Sequence, residues 1–496
     1  MRILLLNWVI SEMRVCIIAE GSYPYITGGV SSWIHSLITN LPEHEFIIYA
    51  IAAQEKQQGE FRYKLPPNVI EVKETFLDTY LREHGEWGHR FRLTAEQQLA
   101  FQSLLGGEGH VDWGGIFTLL RTTKFKVAAD FLMSKDFFDV LVEICGQKYA
   151  HVPFTEFFWT IRSMVLPLFI SIRNDIPEAD LYHSVSTGYA GVIGALAKHI
   201  YNKPYILTEH GIYSREREEE IIKADWVKGY FKDLWIEYFY RLSSCAYDYT
   251  DEVITLFNRN REIEIELGCD PEKIHIVPNG VNVADYDELI DTIPSDEKKV
   301  RLGAIVRVVA IKDIKTMIQS FALVKQEIPE AELYIMGPTE ESKEYYEECL
   351  QLVESLQVED VIFTGEVNVK QYLGRMDMIL LSSISEGMPL AVLEAMACAK
   401  PCVTTDVGSC RELLLGTDDS YGPAGMVVPV MHYDQMASAI VKLCKNKKLR
   451  EEMGRNGLMR ARSLYTRERF IESYRTHYAS YIPGKEAGSW QASDLN

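Results

Sequence analysis

Two glutamates eight positions apart, Glu386 and Glu394, carry the most chemistry per residue in this chain. They lie in Ser385-Glu386-Gly387-Met388-Pro389-Leu390-Ala391-Val392-Leu393-Glu394. The apolar run Met378-Ile379-Leu380-Leu381 ahead of them reads as a buried strand, and Leu390 to Ala397 has the composition of a helix. Glu386 therefore falls on a strand-to-helix turn, with Glu394 about two helical turns further on. Backbone N–H groups at a helix start lack partners and attract anions, and Gly387 permits close approach of backbone to a ligand. A carboxylate on each side of such a turn suits a phosphate flanked by two polyhydroxylated rings, the layout of a sugar nucleotide. The alternative is two acids on an ordinary surface helix.

An anionic ligand needs placed cations. Leu302-Gly303-Ala304-Ile305-Val306 reads as a strand ending at Arg307, and Lys312 falls just before a helix from Ile314 to Val324. Ligands of open α/β sheets bind at the carboxyl ends of strands, so both side chains are expected to reach the site of Glu386. A guanidinium and an ammonium there would stabilise the negative charge that develops on a departing diphosphate. In the first half, Gly28 and Gly29 precede a helix from Ser31, and His210 ends the apolar strand Tyr205–Thr208. His183, closing Leu181-Tyr182-His183, is a second histidine candidate. The run lacks G-x-G-x-x-G, so a dinucleotide fingerprint fails. Asp285-Tyr286-Asp287 has the Asp-x-Asp form of a metal-dependent transferase, but it reads as solvated charge in a linker, and no metal is expected.

The Glu386–Glu394 segment resembles the E-x7-E motif of retaining, GT4-type glycosyltransferases of the GT-B fold. Arg307 and Lys312 resemble that family's donor-site cations. Pro24-x-x-x-Gly28-Gly29-Val30 is similar to its first loop, and His210 to its strand-end histidine beside the donor sugar. More narrowly, Ala19–Trp33 and Thr208–Tyr213 resemble the cytosolic PelF-type glycosyltransferases of Pel exopolysaccharide systems, over about Met13 to Arg475. The resemblance implies an α/β chain of two Rossmann-like, doubly wound domains facing a cleft. It implies retaining transfer of a hexose or N-acetylhexosamine from a UDP-sugar to a growing exopolysaccharide, with no cofactor besides the donor. Arg307 and Lys312 would hold the diphosphate, and Gly387, Met388, Leu390 and Ala391 the phosphate turn. Glu394 would bind the ribose, and Glu386 would lie under the sugar ring. Gly28, Gly29 and His210 would meet the donor from the other domain. The family also implies docking onto a membrane-embedded synthase and export complex from the cytoplasm.

Elements must position these groups. Strand candidates are Val15–Ala19, Phe46–Tyr49, Leu181–His183, Tyr205–Thr208, Val253–Thr255 and Lys273–Ile276 in the first half. In the second they are Arg301–Val306, Ala331–Met336, Val361–Thr364, Met378–Ser382, Pro401–Thr405 and Gly425–Val428. Short β-branched runs alternating with helical stretches indicate parallel sheets covered on both faces. The expected organisation is an upstream extension at 1–12, with Met13 a plausible start, and a first domain at 13–284. A helical insertion rich in aromatics follows within it at about 54–175. A linker at 285–298, a second domain at 299–465, a helix at 466–483 crossing back to the first domain and a polar tail at 484–496 complete the chain. The insertion's Trp87, Phe91, Trp113, Phe131, Phe137, Phe138, Phe154, Phe157, Phe158 and Trp159 are expected to form its core, the other reading being a sugar-stacking or partner surface.

With 496 residues the chain is too long for one core. Its net charge of −20 argues against nucleic acid as a partner. Nine scattered cysteines show no C-x-x-C pair and fit small apolar filler in a reducing compartment. No apolar run reaches the ~18 residues a membrane span needs. Rival readings are a sugar-nucleotide 2-epimerase of the same fold, which the E-x7-E segment disfavours, and a UDP-sugar-binding subunit without turnover.

Overall fold

Strands buried on both faces need apolar residues at every position, which is why most of them stand out as unbroken runs. A computed structural model of the chain describes residues 13–82, 88–106, 109–122, 126–290, 299–417 and 419–482. They form two compact units. The first takes in residues 13–255, 261–275 and 475–482, and the second Leu256–Asn260 and Ile276–Tyr474.

The first unit is built on seven strands: β1 (Arg14–Glu20), β2 (Glu45–Ala52), β3 (Val69–Phe76), β4 (Leu181–Ser184), β5 (Tyr205–Glu209), β6 (Glu252–Thr255) and β7 (Ile274–Ile276). Their order is β3-β2-β1-β4-β5-β6-β7. β1 runs parallel to both β2 and β4, so the winding reverses between β1 and β4. Val15, Cys16, Ile17 and Ile18 of β1 are wholly buried.

Strand β3 lies inside the stretch expected to be helical, a correction with a simple cause. It pairs only with β2, at the sheet edge. Half-solvated, it carries Glu71, Lys73 and Glu74 among its apolar residues and so lacks the continuous run that betrays a central strand. Most of the other described residues of the insertion lie in helices: Ala95–Gly106, Trp113–Thr122, Ala128–Leu132, Lys135–Lys148 and Phe154–Arg173. Trp113, Phe131, Phe137, Phe157 and Phe158 are buried. They join one core with Cys16, Ile18, Tyr49 and Leu207 of the sheet. Phe101 meets Phe131, Phe137 and Phe169 at ring-centroid separations of 5.7, 5.5 and 5.9 Å, the offset and edge-on geometry that aromatic quadrupoles favour. Phe91 and Phe154 pack partly buried, while Phe138 and Trp159 are exposed at 42% and 45%. Trp87 lies outside the described residues. Among the described residues one helix, Phe154–Arg173, is long and apolar enough to cross a membrane by length and composition, although Glu156 and Arg162 interrupt its apolar run, and most of it is buried in this core.

The second unit holds β8 (Val300–Ile305), β9 (Ala331–Met336), β10 (Val361–Gly365), β11 (Met378–Leu381), β12 (Cys402–Thr405) and β13 (Gly425–Val428). All pairs are parallel, in the order β10-β9-β8-β11-β12-β13. The reversal of winding falls between β8 and β11, where ligands of such sheets bind outside the carboxyl ends.

Two boundaries differ from the sequence reading. Ile276 onward belongs to the second unit, where Val281 bridges Thr466. A Cβ at Gly280 would stand 2.3 Å from the Thr466 carbonyl oxygen, so the approach requires glycine. The supposed linker is folded as far as described: Val283–Tyr286 and Asp287–Ile290 form two short helical turns. Val283, Tyr286 and Leu289 give this charged stretch one apolar face, which packs on the second core. Residues 291–298, like 1–12 and the tail from 484, lie outside the described residues. The helix Arg467–Ala479 begins in the second unit, and from Arg475 its residues belong to the first.

Candidate active site

The loops leaving β8 and β11 carry Lys312 and Glu386, and the second sheet brings them together. Lys312 Nζ lies 2.5 Å from Glu386 Oε1, with the side chains only 17% and 11% exposed. Glu386 is thus not a surface charge. Ser383 donates its hydroxyl to the same carboxylate oxygen at 2.6 Å. The loops are stitched below this pair. Ser382 donates to the carbonyls of Lys312 and Asp313, both at 2.9 Å, and Ile384 N–H to the Ile311 carbonyl at 2.9 Å. Asp313 caps the helix Ile314–Glu327 by accepting from Thr316 N–H. Behind Glu386, Gly408 at φ +51° lets the loop after β12 approach: a Cβ would fall 2.1 Å from the Gly387 carbonyl oxygen and 2.4 Å from that of Glu386.

Arg307 does not join this pair. Its Nη1 donates to both Glu341 oxygens, at 2.6 and 2.8 Å, and both side chains are about half exposed. Gly387 accepts from Ser409 N–H at 3.0 Å. Met388 is buried, its sulfur accepting from Asn279 N–H at 3.1 Å, so its side chain serves the fold. Leu390 and Ala391 open the helix Leu390–Ala397, whose N-cap Pro389 provides no side-chain cap. In this helix, burial pushes the Glu394 carboxyl above its usual range, opposed by a hydrogen bond with Tyr286 and by the charge of Lys370. Asp285 and Asp287 are half-exposed charges paired with Lys370 and Arg462. Tyr286 between them, read as part of a solvated linker, is instead 5% exposed and faces Glu394.

In the first unit, Gly28 and Gly29 stand at the start of the helix Gly29–Asn40, and a Cβ at either would meet nothing within 4 Å. The fold itself therefore does not demand glycine there. His183 is wholly buried and both ring nitrogens are engaged, with the Tyr478 hydroxyl and the Thr208 hydroxyl, each at 2.7 Å. It is a structural histidine. His210 follows β5, packed edge-on against Trp33 at 4.6 Å between ring centroids, with a buried Nε2 that has no hydrogen-bond partner. Sequence reasoning missed two acids that end strands of this sheet, Glu209 wholly buried and Glu20 partly so. Glu20, closing β1, accepts from Ala190 N–H at 3.1 Å and the Tyr213 hydroxyl at 3.2 Å. Glu209, closing β5, accepts from the Tyr247 hydroxyl at 2.6 Å, the Thr187 hydroxyl at 3.0 Å and Tyr213 N–H at 3.3 Å. Burial raises both carboxyls. The available signal was an acid as last residue of an otherwise apolar strand.

Burial pulls the His183 imidazole down to about 3, helped by the charges of His210 and His477, and that of His210 down to about 4. Unfolded, both take a proton near pH 6.5. Because their folded values are depressed, their stabilisation is full above about pH 6.5 and is lost as pH falls toward 4 and 3. Glu20 and Glu209 act oppositely, favouring the fold in acid and losing that contribution as pH rises. The expected result is an unfolding temperature that falls from pH 7 to pH 4, with a shallower fall in His183→Gln. One expressed pKa unit corresponds to about 1.4 kcal/mol, or about 2–4 °C in a domain of this size. Identical acid limbs in the two proteins, measured by circular dichroism melts, would contradict it.

Comparison with known proteins places these features. Residues 13–272 match the model of a domain of unknown function (DUF3492), and residues 285–460 match that of glycosyl transferases group 1. The chain is 31% identical to N-acetyl-alpha-D-glucosaminyl L-malate synthase of Bacillus anthracis over 36% of its own length, and this match spans 45% of that relative. It is 26% identical to the UDP-Gal:alpha-D-GlcNAc-diphosphoundecaprenol alpha-1,3-galactosyltransferase of Escherichia coli over 54% of this chain and 67% of that enzyme. In fold it is similar to HepE of Anabaena, solved in complex with UDP: TM-score 0.60 at 15% identity, covering 94% of this chain and 100% of that one.

Proposed function

This chain belongs to the DUF3492 family and ends in a group 1 glycosyl transferase domain on a GT-B-type fold of two parallel-sheet α/β domains, and from that premise we propose that it transfers a hexose or N-acetylhexosamine from a UDP-sugar to a growing Pel-type exopolysaccharide, with retention at the anomeric carbon. The observation that carries this is the Lys312–Glu386 pair at the switch point of the second sheet, followed on the next helix by a largely buried Glu394. A UDP donor agrees with the relative named for UDP-Gal and the fold neighbour solved with UDP.

The reading uses residues of the second domain. Arg307 and Lys312 hold the diphosphate and take up the charge that builds as the bond from anomeric carbon to phosphate oxygen breaks. Glu386 faces the sugar ring, where positive charge develops. Glu394 binds the ribose hydroxyls. The leaving phosphate accepts the proton of the attacking acceptor hydroxyl. A donor complex must first part Arg307 from Glu341 and share Lys312 with Glu386. We place the enzyme in the cytoplasm, recruited to the inner face of the membrane by an export complex.

Radiolabelled UDP-sugars, supplied one at a time with and without oligosaccharide acceptor and with and without EDTA, test the reading. Transfer to acceptor that survives EDTA is expected, since the two cations take the place of a divalent ion. C2 inversion of the donor without acceptor would make the chain an epimerase. Binding without any turnover would make it a sensor subunit. Activity abolished by EDTA and restored by Mg²⁺ or Mn²⁺ would reject the cation assignment.

A further inference from the structure

Strand β3 leaves one edge of the first sheet open. It pairs with β2 alone, and among the described residues no strand lies on its other side. Such an edge presents unpaired N–H and C=O groups, a template for another strand, and charged side chains commonly block it. Lysines alone would repel every like edge, a second copy of the chain included. Here the charges are of both signs. Glu71 and Lys73 stand two residues apart and so share one face of the strand, with Val72 between them on the other. Glu71 is exposed and Lys73 half-buried, and neither makes an ion pair among the described residues. Ile70, which the register with β2 passes over, is 47% exposed.

We propose that two copies of this chain pair through β3, antiparallel and edge to edge, about a twofold axis at Val72. In that register Glu71 of each copy stands opposite Lys73 of the other, at the ~4.5–5.5 Å Cβ separation of directly opposed residues, and Val72 meets its own counterpart. A twofold axis makes each cross-strand contact twice, so two ion pairs form. The neighbouring registers do not match. An axis at Glu71 or at Lys73 sets like charges against each other, and a parallel in-register pair does so at both positions. Ile70 falls opposite the methylenes of Glu74 and leaves water. Each copy carries a net charge of −20, which opposes association over most of the surface, so pairing depends on this local match. One strand pair is a small interface of the transient class, under about 1,200 Å², and the dimer is expected to be concentration-dependent. The pairing rests on the first sheet alone and is independent of the donor reading.

The test is sedimentation velocity of the full chain from low to high micromolar concentration, with wild type, Glu71→Lys, Lys73→Glu and the variant carrying both changes. Each single swap sets like charges opposite each other twice. The double swap restores opposite charges in the same register. The expected result is a reversible monomer–dimer equilibrium for wild type. Each single swap should raise the dissociation constant about tenfold or more, and the double swap should return it to within about threefold of wild type. A wild type that stays monomeric over the whole range would overturn the proposal. A dimer that the single swaps leave intact would overturn it too, because another surface then holds the copies together. So would a double variant that melts like wild type by circular dichroism yet does not recover the dimer. Should a variant lose its cooperative melt, amide hydrogen exchange of wild type decides: protection of β3 that rises with concentration supports the pairing, and protection independent of concentration overturns it.

Discussion

Glu386→Gln is expected to lower kcat by about a hundredfold or more while UDP affinity stays within about threefold of wild type. Glutamine keeps the shape of the side chain and can still accept from Ser383, so the loop stitched beneath it should persist. What it removes, on the proposed reading, is a negative charge facing a ring that turns positive as the bond to phosphate stretches. A preorganised electrostatic group of this kind is worth roughly 10²–10³ in turnover, and because it acts in the transition state the loss falls on kcat. The structure sharpens the expectation for binding. Lys312 is now held by Glu386 in a partly desolvated pair, so neutralising the acid frees the ammonium for the diphosphate. UDP affinity should therefore hold or improve. Parallel loss of UDP affinity with turnover unchanged would show Glu386 to be only another binding group.

Arg307→Ala is the second large effect, and it should fall on binding. A charge-assisted hydrogen bond contributes about 1.5–3 kcal/mol, or roughly ten- to a hundredfold in UDP affinity. The lower end is expected, because Arg307 is half exposed and must first leave Glu341. Arg307→Lys should recover only part of the loss, since an ammonium cannot repeat the planar fork. The same geometry predicts that Glu341→Gln tightens UDP, by removing both a competitor for the guanidinium and a repulsive charge. Wild-type UDP affinity in Arg307→Ala, measured by calorimetry, would remove Arg307 from the donor site.

The order of elements was legible because parallel sheets are buried on both faces. β1, β11 and β12 announce themselves as runs such as Val15–Ala19 and Met378–Leu381, with no need of a partner to explain them. The strand–turn–helix around Glu386 was legible for the same reason, and so was the folding of most insertion aromatics into a core. What escaped lies at edges and ends. β3 is a half-solvated edge strand, and Glu20 and Glu209 are single acids whose burial depends on Tyr213 and Tyr247, remote in sequence.

By itself, then, the sequence determined which residues form the central strands and most of the helices, that the winding is α/β, and that Lys312 and Glu386 lie near strand ends, since these follow from periodicity and local composition. Tertiary structure alone decided the partners. It gave Lys312 to Glu386 and Arg307 to Glu341, committed both nitrogens of His183 to the fold while leaving a buried nitrogen on His210, and turned Tyr286 from a supposed linker residue into the neighbour of Glu394. The reason is physical. A pattern of residue types fixes which face of an element is buried, whereas the partner of a charge depends on loop paths joining strands far apart in sequence, and ionic attraction discriminates among nearby partners only after those paths are set.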